Sequence, residues 1–444
     1  MTGYERIKQD FTGKKILILG LGVLGGGADT VTFFQSLGCK VAITDLRSAE
    51  ELSQSLAKLD LSGLDCTFGK HDPADITKCD VIIRNPAVPR DSPLLTQAAD
   101  EGKDIYMDAA LFARYTQKPI IGVTGTRGKS TTATLMYEIV RQVTGKPVAL
   151  GGNLPGISTL SLLQTETANT NLTVLELSSW QLQGFDEAEI SPHIAVFTNI
   201  YPDHLNRYHG MSDYVADKIA ITAYQTQADY FVYNRHDPVV VEIAGKTHAQ
   251  TLSFGNEDID SSFRLRLAGD HNRSNAAAAL KVAQILGLPD KEVKTVLAHQ
   301  PPLAFRLEPI RTLNNVTFVN DTTSTTPTAL TMGIKAMDRP VTVIVGGQSK
   351  ELPLDDVIDT LNFHPMVRRI ILIPGSGTDE IKGQLDQKRL VGETASLDEA
   401  VAKSYQMTAS GENVLFSPGF TSFAQYQNEF ERGEHFNQLV QGLS

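Results

Sequence analysis

A glycine-rich segment, VTGTRGKSTTATL, follows an apolar strand and precedes a stretch of helical length. In this strand, turn and helix order, the backbone amides at the helix N-terminus can cradle phosphate groups. The spacing predicts that Lys129 contacts the terminal phosphates of a nucleotide, and that Ser130 or Thr131 places a hydroxyl on Mg²⁺. Gly125 and Gly128 would permit the tight turn, which residues with a Cβ resist. The segment therefore predicts phosphate chemistry.

The phosphate-binding segment is a shortened variant of the common loop. Val123 stands where the common loop has a glycine, which leaves the pattern G-T-x-G-K-S. The alternative interpretation is an ordinary turn between a strand and a helix.

A second glycine run closes the first apolar strand. It contains Gly20, Gly22 and Gly25, and Asp45 ends the next apolar run about 20 residues later. Alone, this pattern is typical of a dinucleotide site. The alternative is that the glycines only allow close packing between strand and helix.

Two further side chains could serve a metal ion, because each follows an apolar strand. Glu176 ends the run in TVLELSS, and His204 follows IAVFTNIYPD. Beyond the carboxyl ends of parallel strands, a carboxylate and an imidazole can hold Mg²⁺ and screen the charge of a transferring phosphate. The alternatives are a solvated residue or helix cap for Glu176 and a structural role for His204.

The composition bounds the kind of protein in which these groups act. Hydrophobic residues make up 41% and charged residues 20% of the 444, and no apolar run approaches the length of a membrane span. The first residues, MTGYERIKQDFTGKK, lack the apolar core of a secretory signal, which favours a cytosolic enzyme. A formal charge of −11 argues against a general nucleic-acid surface. Cys39, Cys66 and Cys79 lack metal-ligand spacing and are expected to be buried, reduced thiols.

Apolar runs separated by stretches of helical length predict an α/β protein with three domains. A Rossmann-like domain would span residues 1–110, a central P-loop domain 111–303 and a second Rossmann-like domain 304–444. The paired prolines in HQPPLAFR, at 299–306, mark the second boundary. The expected strands lie in KILILG, 41–44, VIIRN, IIGVT, TVLELSS, IAVFTNI, YFVYN, VTFVND, VTVIVGG, RIILIPGSG and NVLFSPG.

Five ordered motifs, GTRGKST, LELSSWQL, TNIYPDHLNRY, GDHNRSNAAAAL and FRLE, resemble those of the Mur ligases over nearly the whole chain. The short first domain and the closing SPGFTSFAQYQNEFERG are most similar to the MurD type. The resemblance implies a UDP-binding domain, a central ATPase domain and a C-terminal Rossmann-like domain. It also implies a cytoplasmic ligase of peptidoglycan precursor synthesis that joins glutamate, with D-glutamate as the larger class, to UDP-N-acetylmuramoyl-L-alanine. ATP and two Mg²⁺ ions would serve an acyl-phosphate mechanism, and we expect a monomer without nucleic acid or membrane insertion.

The resemblance assigns the candidate site residue by residue. The residues on ATP would be Gly125, Thr126, Arg127, Gly128, Lys129, Ser130, Thr131, Asn272, Asn275, Arg306 and Asp321. The metals would be held by Ser130, Glu176, His204 and Lys218, with Lys218 as a carbamate because an ammonium would repel the ion. The UDP-linked substrate would contact Val23, Leu24, Asp45, Arg47, Asn85 and Asn153, and glutamate would contact Thr325, Lys350 and Ser422. The catalytic groups would be Lys129, Glu176, His204 and Lys218.

Three of these assignments have plain structural alternatives. Lys218 could be an exposed helix lysine. Thr325 and Ser422 could be loop hydroxyls that bond to their own backbone.

Three positions depart from the pattern of the MurD type. Arg127 stands where asparagine is usual, and in this it resembles ligases that build poly-γ-glutamate. Thr323 occupies the place of a usual lysine, and Glu429 that of an aromatic residue that helps to seat glutamate. The last two departures resemble a subgroup that uses L-glutamate, so the sequence leaves the stereochemistry open.

Two other classes of protein remain as alternatives. A NAD-dependent dehydrogenase would use GLGVLG and Asp45 but would leave GTRGKST without a role. A non-enzymatic P-loop switch would bind nucleotide to control a partner, and it would hydrolyse ATP without needing glutamate.

Overall fold

Three β-sheets organise the chain in the computed structural model, which describes residues 1–23, 25–154, 158–204, 207–423 and 425–444. The strands are β1 Lys15–Leu19, β2 Lys40–Asp45, β3 Asp65–Phe68, β4 Val81–Arg84, β5 Asp104–Tyr106, β6 Ile120–Thr124, β7 Ala149–Gly152, β8 Thr173–Glu176, β9 Ile194–Phe197, β10 Tyr230–Asn234, β11 Gln250–Phe254, β12 Glu308–Leu313, β13 Val316–Asn320, β14 Val341–Gly346, β15 Val367–Ile373, β16 Leu390–Glu393 and β17 Asn413–Gly419. The strand orders are β3-β2-β1-β4-β5, β11-β10-β9-β6-β8-β7 and β12-β13-β17-β14-β15-β16. Neighbouring strands run parallel except β12 and β13, which are antiparallel. The predicted α/β fold class is therefore confirmed.

Helices make the connections that parallel strands require. They are α1 Gly3–Phe11, α2 Gly26–Ser36, α3 Ser53–Leu56, α4 Pro73–Lys78, α5 Pro93–Asp100, α6 Asp108–Tyr115, α7 Lys129–Thr144, α8 Leu162–Thr165, α9 Ser179–Glu187, α10 Met211–Ala223, α11 Pro238–Ala244, α12 Asp270–Ile285, α13 Asp290–His299, α14 Pro327–Lys335, α15 Asp355–Phe363, α16 Ser376–Ile381, α17 Leu397–Met407 and α18 Glu429–Gln441. Short 3₁₀ helices lie at Thr159–Ser161, Asn256–Asp258 and Lys382–Gln384. Of the helices within the described ranges, none is both long and apolar enough to cross a membrane.

The chain forms two compact units. The first, which holds the first two sheets, consists of Met1–Tyr201, Gly210–Asp258 and Asn275–Val296. The second, which holds the third sheet, consists of Pro202–His209, Ile259–Ser274 and Leu297–Ser444. The three sheets match the three predicted α/β domains, whereas the boundaries after residues 110 and 303 remain predictions.

The strands that the sequence predicted are the interior strands of the three sheets. Every residue of β6, β8, β9, β14 and β17 is buried. Parallel strands that are covered on both faces are apolar along their whole length, so their sequences form continuous apolar runs. The edge strands β3, β5, β7, β11, β12 and β16 were not predicted.

The expectation that all three cysteines are buried is wrong for Cys66. This residue is exposed in β3, an edge strand, whereas Cys79 is buried and Cys39 is half-buried. Nothing in the local sequence shows that β3 lies at a sheet edge. All three cysteines are free thiols.

Candidate active site

The glycine-rich loop lies between β6 and α7, and two of its glycines have backbone conformations that favour glycine. Gly125 has φ +141°, and a Cβ there would collide with the Thr198 hydroxyl. Gly128, the N-cap of α7, has φ +83°, and a Cβ there would collide with the side-chain oxygen of Asn275. The loop therefore excludes side chains at both positions and lets Asn275 lie against its backbone.

The segment that follows β9 holds this loop in shape. The Thr126 amide donates to the Asn199 carbonyl at 2.9 Å, and the Arg127 amide donates to Asn199 Oδ1 at 2.9 Å. The Arg127 carbonyl in turn accepts from Thr198 Oγ1 at 2.6 Å and from Asn199 Nδ2 at 3.1 Å. The sequence analysis missed Thr198 and Asn199, although both lie in the motif TNIYPDH.

Lys129 begins α7, so its backbone belongs to the first helical turn, where amide groups have no acceptor within the helix. Its ammonium donates to the Thr126 carbonyl at 3.1 Å, and the side chain folds back over the loop. Ser130 is half-buried and Thr131 is buried in the same turn. This turn combines a cation, hydroxyls and the positive end of the helix dipole, all of which suit an anion.

Lys218 lies beneath the loop on α10. It is only 1% exposed, and its Nζ donates to the Gly125 carbonyl at 2.9 Å. The same Nζ lies 4.9 Å from the ring centroid of Tyr214, whose hydroxyl is 3.0 Å from Thr126 Oγ1. The alternative of an exposed helix lysine is therefore wrong. The sequence analysis missed Tyr214, although its four-residue spacing from Lys218 places both on one helix face.

Glu176 ends β8, and its two carboxylate oxygens differ in their partners. The residue is 3% exposed, and its Oε1 accepts from Asn153 Nδ2 at 3.1 Å. Among the described residues, the buried Oε2 has no hydrogen-bond donor. An ionised oxygen that is shielded from water and lacks a partner is costly, and a bound cation would remove that cost. The donor chemistry of Glu176 therefore fits Mg²⁺, which prefers carboxylate oxygens.

Asn153 is held against Glu176 by the backbone as well as by its side chain. The Asn153 amide donates to the Glu176 carbonyl at 2.8 Å. Gly152 has φ +91°, and a Cβ there would collide with that same carbonyl. The close approach of the end of β7 to β8 thus requires glycine at this position.

No group of three His, Cys, Asp or Glu side chains is arranged to hold a metal ion in the part of the chain that the structure describes. Ser130 and Lys218, which the resemblance includes among the metal ligands, are not of those residue types. The predicted metal set therefore stays a prediction.

The second glycine run brings together Asp45, Arg47 and Asn85, three of the residues that were predicted to bind the UDP-linked substrate. Both carboxylate oxygens of the buried Asp45 are used, because Oδ2 accepts from the Gly22 amide at 3.1 Å and Oδ1 from the Arg47 amide at 2.9 Å. A Cβ on Gly20 would lie 2.9 Å from the Asn85 Cβ. Val23 is half-buried, and Leu24 lies outside the described residues.

In the second unit, His204 has an unusual backbone conformation next to a buried carboxylate. His204 has φ +57°, and its amide donates to Asp203 Oδ1 at 2.9 Å. Lys350 Nζ lies 3.2 Å from the same oxygen. Non-glycine residues in the left-handed region are held there by their surroundings and often mark functional sites. The sequence analysis missed Asp203, which lies directly before the predicted metal ligand.

Arg306 lies between two more residues in the left-handed region, Phe305 at φ +65° and Leu307 at φ +48°. The Phe305 amide donates to Glu308 Oε2 at 2.8 Å, and its carbonyl accepts from Thr323 Oγ1 at 2.9 Å. Backbone on both sides of Arg306 is thus held in a costly conformation by side chains around it.

Asp321 fixes the other side of the Arg306 segment. Its Oδ1 accepts from the Leu307 amide at 3.1 Å, and its Oδ2 accepts from Ser417 Oγ at 2.8 Å. Asp321, which the resemblance assigns to ATP, therefore also organises the backbone that presents Arg306.

Arg432 of α18 joins the two segments that carry the predicted glutamate contacts. Its guanidinium donates to the Thr322 carbonyl at 2.9 Å and to the Phe420 carbonyl at 3.2 Å. Burial lowers the pKa of Arg432 to about 10. Ser422 is buried close along the chain, and Thr325 is half-buried with its amide bonded to the Thr323 carbonyl at 3.0 Å.

The predicted site residues divide between the two units. The first unit holds Val23, Asp45, Arg47, Asn85, Gly125, Thr126, Arg127, Gly128, Lys129, Ser130, Thr131, Asn153, Glu176, Lys218 and Asn275. The second unit holds His204, Asn272, Arg306, Asp321, Thr325, Lys350 and Ser422. Asn272 lies in the first turn of α12, where its Nδ2 donates to the Ala268 carbonyl at 2.8 Å.

The three sheets, parallel except at the edge strand β12, and the loop before α7 define the chain as an α/β protein of the nucleotide-binding class. A model of the Mur ligase middle domain matches residues 123–264, and a model of the Mur ligase MurD-like N-terminal domain matches residues 14–107. The chain belongs to the Mur ligase family, and it is an ATP-dependent ligase that joins an acid to an amino acid.

Relatives match the chain along nearly its whole length. The UDP-N-acetylmuramoylalanine--D-glutamate ligase of Roseiflexus sp. (strain RS-1) is 35% identical, with 97% of this chain and 99% of that protein covered. The ligase of the same description from Clostridioides difficile (strain 630) is 30% identical, with 98% of this chain and all of that protein covered.

Solved structures share the fold. The UDP-N-acetylmuramate-alanine ligase MurC of Thermotoga maritima has a TM-score of 0.62 at 17% identity, covering 96% of this chain and 99% of that one. The MurF ligase of Thermotoga maritima, solved in complex with ADP, has a TM-score of 0.61 at 16% identity, covering 98% of this chain and 96% of that one. At these identities the likeness concerns the fold alone.

Proposed function

We propose that the chain ligates D-glutamate to UDP-N-acetylmuramoyl-L-alanine with the consumption of ATP. The observation that carries this proposal is the full-length likeness, at 30–35% identity, to ligases described as UDP-N-acetylmuramoylalanine--D-glutamate ligases. The reaction would belong to peptidoglycan precursor synthesis and would take place in the cytoplasm, with the chain acting as a monomer.

The first step is transfer of the ATP γ-phosphate to the alanine carboxylate of the UDP-linked substrate. The carboxylate oxygen attacks phosphorus in line, ADP leaves, and an acyl phosphate forms. Lys129 stabilises the charge on the transferring group, and the amides of the first turn of α7 orient the phosphates. The second step is attack by the glutamate amine on the activated carbonyl, with loss of a proton and phosphate, and here the protein chiefly supplies alignment.

The proposed cation site uses Glu176, whose buried Oε2 has no donor within the described ranges. Mg²⁺ at this site would neutralise charge on the phosphates. Ser130, His204 and Lys218 complete the ligand set that we propose, for two ions. As the ammonium, Lys218 donates to the Gly125 carbonyl and would repel a cation, so a role as ligand requires its conversion to a carbamate.

We assign the UDP-linked substrate to the loop around Gly22. Asp45, Arg47 and Asn85 gather there, with Val23 beside them, and Asn153 would contact the muramoyl part. Because Asp45 fixes the backbone at Gly22 with one oxygen, its loss would disturb the loop as well as any contact with substrate.

Glutamate would bind in the second unit, at Thr325, Lys350 and Ser422. The cation that this dianionic amino acid needs would come from Lys350, which now lies 3.2 Å from Asp203 Oδ1. Asn272, Arg306 and Asp321, in the same unit, are proposed for ATP.

Thr323 and Glu429 make L-glutamate the second candidate amino acid. The Thr323 hydroxyl donates to the Phe305 carbonyl, and the Glu429 carbonyl accepts from Thr322 Oγ1 at 3.1 Å. The amino-acid site of this chain therefore differs in its chemistry from one built with a lysine and an aromatic ring.

The test is reconstitution with ATP, Mg²⁺, UDP-N-acetylmuramoyl-L-alanine and either D- or L-glutamate. We expect phosphate release and a product whose mass corresponds to one added glutamate with the D-isomer. Product with the L-isomer alone would move the assignment to L-glutamate. Tight NAD binding without ADP release from any of these mixtures would refute the ligase.

A further inference from the structure

A series of side-chain hydrogen bonds, here called the polar chain, joins the end of β4 to α10 within the first unit. Arg84, which is 1% exposed, donates from Nη2 to Gln183 Oε1 at 3.1 Å. Gln183 donates from Nε2 to Asp217 Oδ2 at 2.6 Å. A guanidinium only donates and a carboxylate only accepts, so an amide satisfies both neighbours in one orientation alone. Gln183 therefore bonds to both groups through one amide.

A second arginine fastens the other end of the same segment. Arg90 Nη2 lies 3.0 Å from Asp186 Oδ2, and Arg90 Nε lies 3.3 Å from Glu187 Oε1. Arg84 Nη2 also lies 3.3 Å from that Glu187 oxygen. Asn85, which packs against the glycine run at the proposed UDP site, lies between the two arginines in sequence. The segment that carries this substrate contact is thus tied to α9 at both ends.

The far end of the polar chain lies next to the residues beneath the phosphate loop. Asp217 directly precedes Lys218 on α10. Lys218 donates to the Gly125 carbonyl, and Tyr214, one turn earlier, reaches Thr126 with its hydroxyl. Because a helix moves as a rigid element, a displacement of Asp217 displaces both of these contacts.

We propose that Gln183 is a positioning residue, which ties the Asn85 segment to α10 and so holds Lys218 and Tyr214 against the phosphate loop. In the part of the chain that the structure describes, the hydrogen bonds of the Gln183 side chain go to Arg84 and Asp217, and Gln183 acts through these two residues. Its part in turnover rests on the proposed function, whereas its effect on ATP binding does not.

The experiment uses three variants of the full chain: Gln183→Glu, Asp217→Asn and the two together. Gln183→Glu replaces the donating amide by a carboxylate that faces Asp217, and two carboxylates at this distance repel. We expect ATP to bind at least about fivefold more weakly. We also expect kcat for ligation to fall at least about tenfold, which corresponds to a rise of about 1.4 kcal/mol in the activation free energy. The KM for glutamate should stay unchanged.

Asp217→Asn alone keeps an oxygen that accepts from Gln183 and loses the charge that pairs with Arg90 Nη1 at 4.0 Å, a half-exposed contact, so its effect should stay within about threefold. The introduced carboxylate faces Arg84 in both the single and the double variant, but only in the double variant does position 217 offer an amide that donates to it. ATP affinity and kcat should return to within about threefold of the unsubstituted protein. If Gln183 mattered only for folding, Gln183→Glu would lower the midpoint of thermal unfolding. It would not weaken ATP binding while leaving the KM for glutamate unchanged.

Glu242→Gln is the matched control, because it breaks an exposed ion pair of the same unit, Glu242 with Lys246 at 2.6 Å. We expect no change in ATP affinity from it. Unchanged ATP affinity in Gln183→Glu, or a double variant as weak as Gln183→Glu, would overturn the inference. If the unsubstituted protein makes no ligation product, the proposed function fails while the ATP-binding arm still decides the role of Gln183.

Discussion

The phosphate loop and the predicted glutamate site are built on different principles. Around the loop, backbone groups and glycines set the geometry, and side chains such as Asn199, Lys218 and Asn275 pack directly against that backbone. In the second unit the predicted glutamate contacts are side chains on separate segments, which Arg432 ties together. Chemistry that is common to all members of a family can be fixed by backbone, whereas the choice of amino acid depends on side chains that can change.

The two regions also differ in how far their sequences follow the family. Around the loop the motif GTRGKST departs at Arg127, whose backbone is held by Thr198 and Asn199 whatever its side chain. At the glutamate site the departures at Thr323 and Glu429 change the chemical groups themselves. We therefore expect changes at the loop to affect turnover with any amino acid, and changes at Thr323 and Glu429 to affect mainly glutamate.

The largest effect is expected from Lys129→Ala. The variant removes the cation that would stabilise charge on the transferring phosphate, and the loss of one such donor costs about 10²- to 10³-fold in kcat. Lys146→Ala, just beyond the exposed end of α7, is the control and should turn over normally. Steady-state phosphate release measures both, and full turnover by Lys129→Ala would remove the proposed role of the loop.

Gly128→Ala is expected to have the next largest effect. The added Cβ would collide with Asn275 in a backbone conformation, φ +83°, that costs an L-residue about 1 kcal/mol or more. Gly145→Ala is a matched control at the other end of α7, because its φ is +65° and a Cβ there meets nothing within 4 Å. Both variants should lose the stability that the left-handed backbone costs an L-residue, Gly128→Ala more because of the collision, but only Gly128→Ala should lose ATP affinity, by about tenfold. Equal ATP affinity in the two, measured by calorimetry, would contradict the model of the loop.

Thr323→Val tests the other region. Losing the hydroxyl that bonds to the Phe305 carbonyl costs about 1 kcal/mol and loosens the segment of Thr325, a proposed glutamate contact whose amide bonds to the Thr323 carbonyl. We therefore expect roughly a fivefold loss in kcat/KM for glutamate. Thr323→Ser keeps the hydroxyl and should be close to normal. Thr312→Val, which removes an exposed hydroxyl pair with Thr317 in the same unit, is the control for the loss of a hydroxyl alone. If Thr323→Ser were as impaired as Thr323→Val, the hydroxyl would not be the group that matters.

The interior of each sheet could be predicted from the sequence, and the edges could not. Interior strands such as β14, VTVIVG, are covered on both faces and are apolar throughout. Edge strands such as β3, DCTF, and β12, EPIRTL, have exposed or half-buried residues and form no apolar run. Their pairing depends on a neighbouring strand that is distant in sequence, and local composition does not show it.

The candidate site shows the same limit. Lys129, Glu176 and Lys218 could be predicted because each lies in a recognisable motif. Asn199 lies in a quoted motif and Tyr214 lies one turn from Lys218, but their contacts with the loop join residues that are 72 or more apart in the chain. Long-range packing of this kind has no signal in the local pattern of residues.

The smallest effect is expected at His271, which follows the left-handed Gly269 in the second unit. Burial lowers the pKa of His271 below its ordinary value of 6.5, against an opposing effect of Asp270. The unfolded chain therefore takes up a proton that the folded chain resists, so the free energy of unfolding declines as the pH falls below about 6.5.

His271→Gln should remove this part of the acid sensitivity. Urea unfolding at about pH 7.5 and about pH 5.5 would measure it, as the loss of stability between the two pH values. His248→Gln, at an exposed position of the first unit, should leave the loss unchanged. A loss in His271→Gln that equals that of the unsubstituted protein would show that another group is responsible.

The central claim is that ATP is consumed at the loop of Lys129 only in order to join an amino acid to the UDP-linked precursor. The most direct test counts phosphate and ligated product in the same reaction, with and without D-glutamate. We expect one phosphate for each product molecule and almost none when glutamate is omitted. Sustained phosphate release without glutamate, or product formation without phosphate, would contradict the claim.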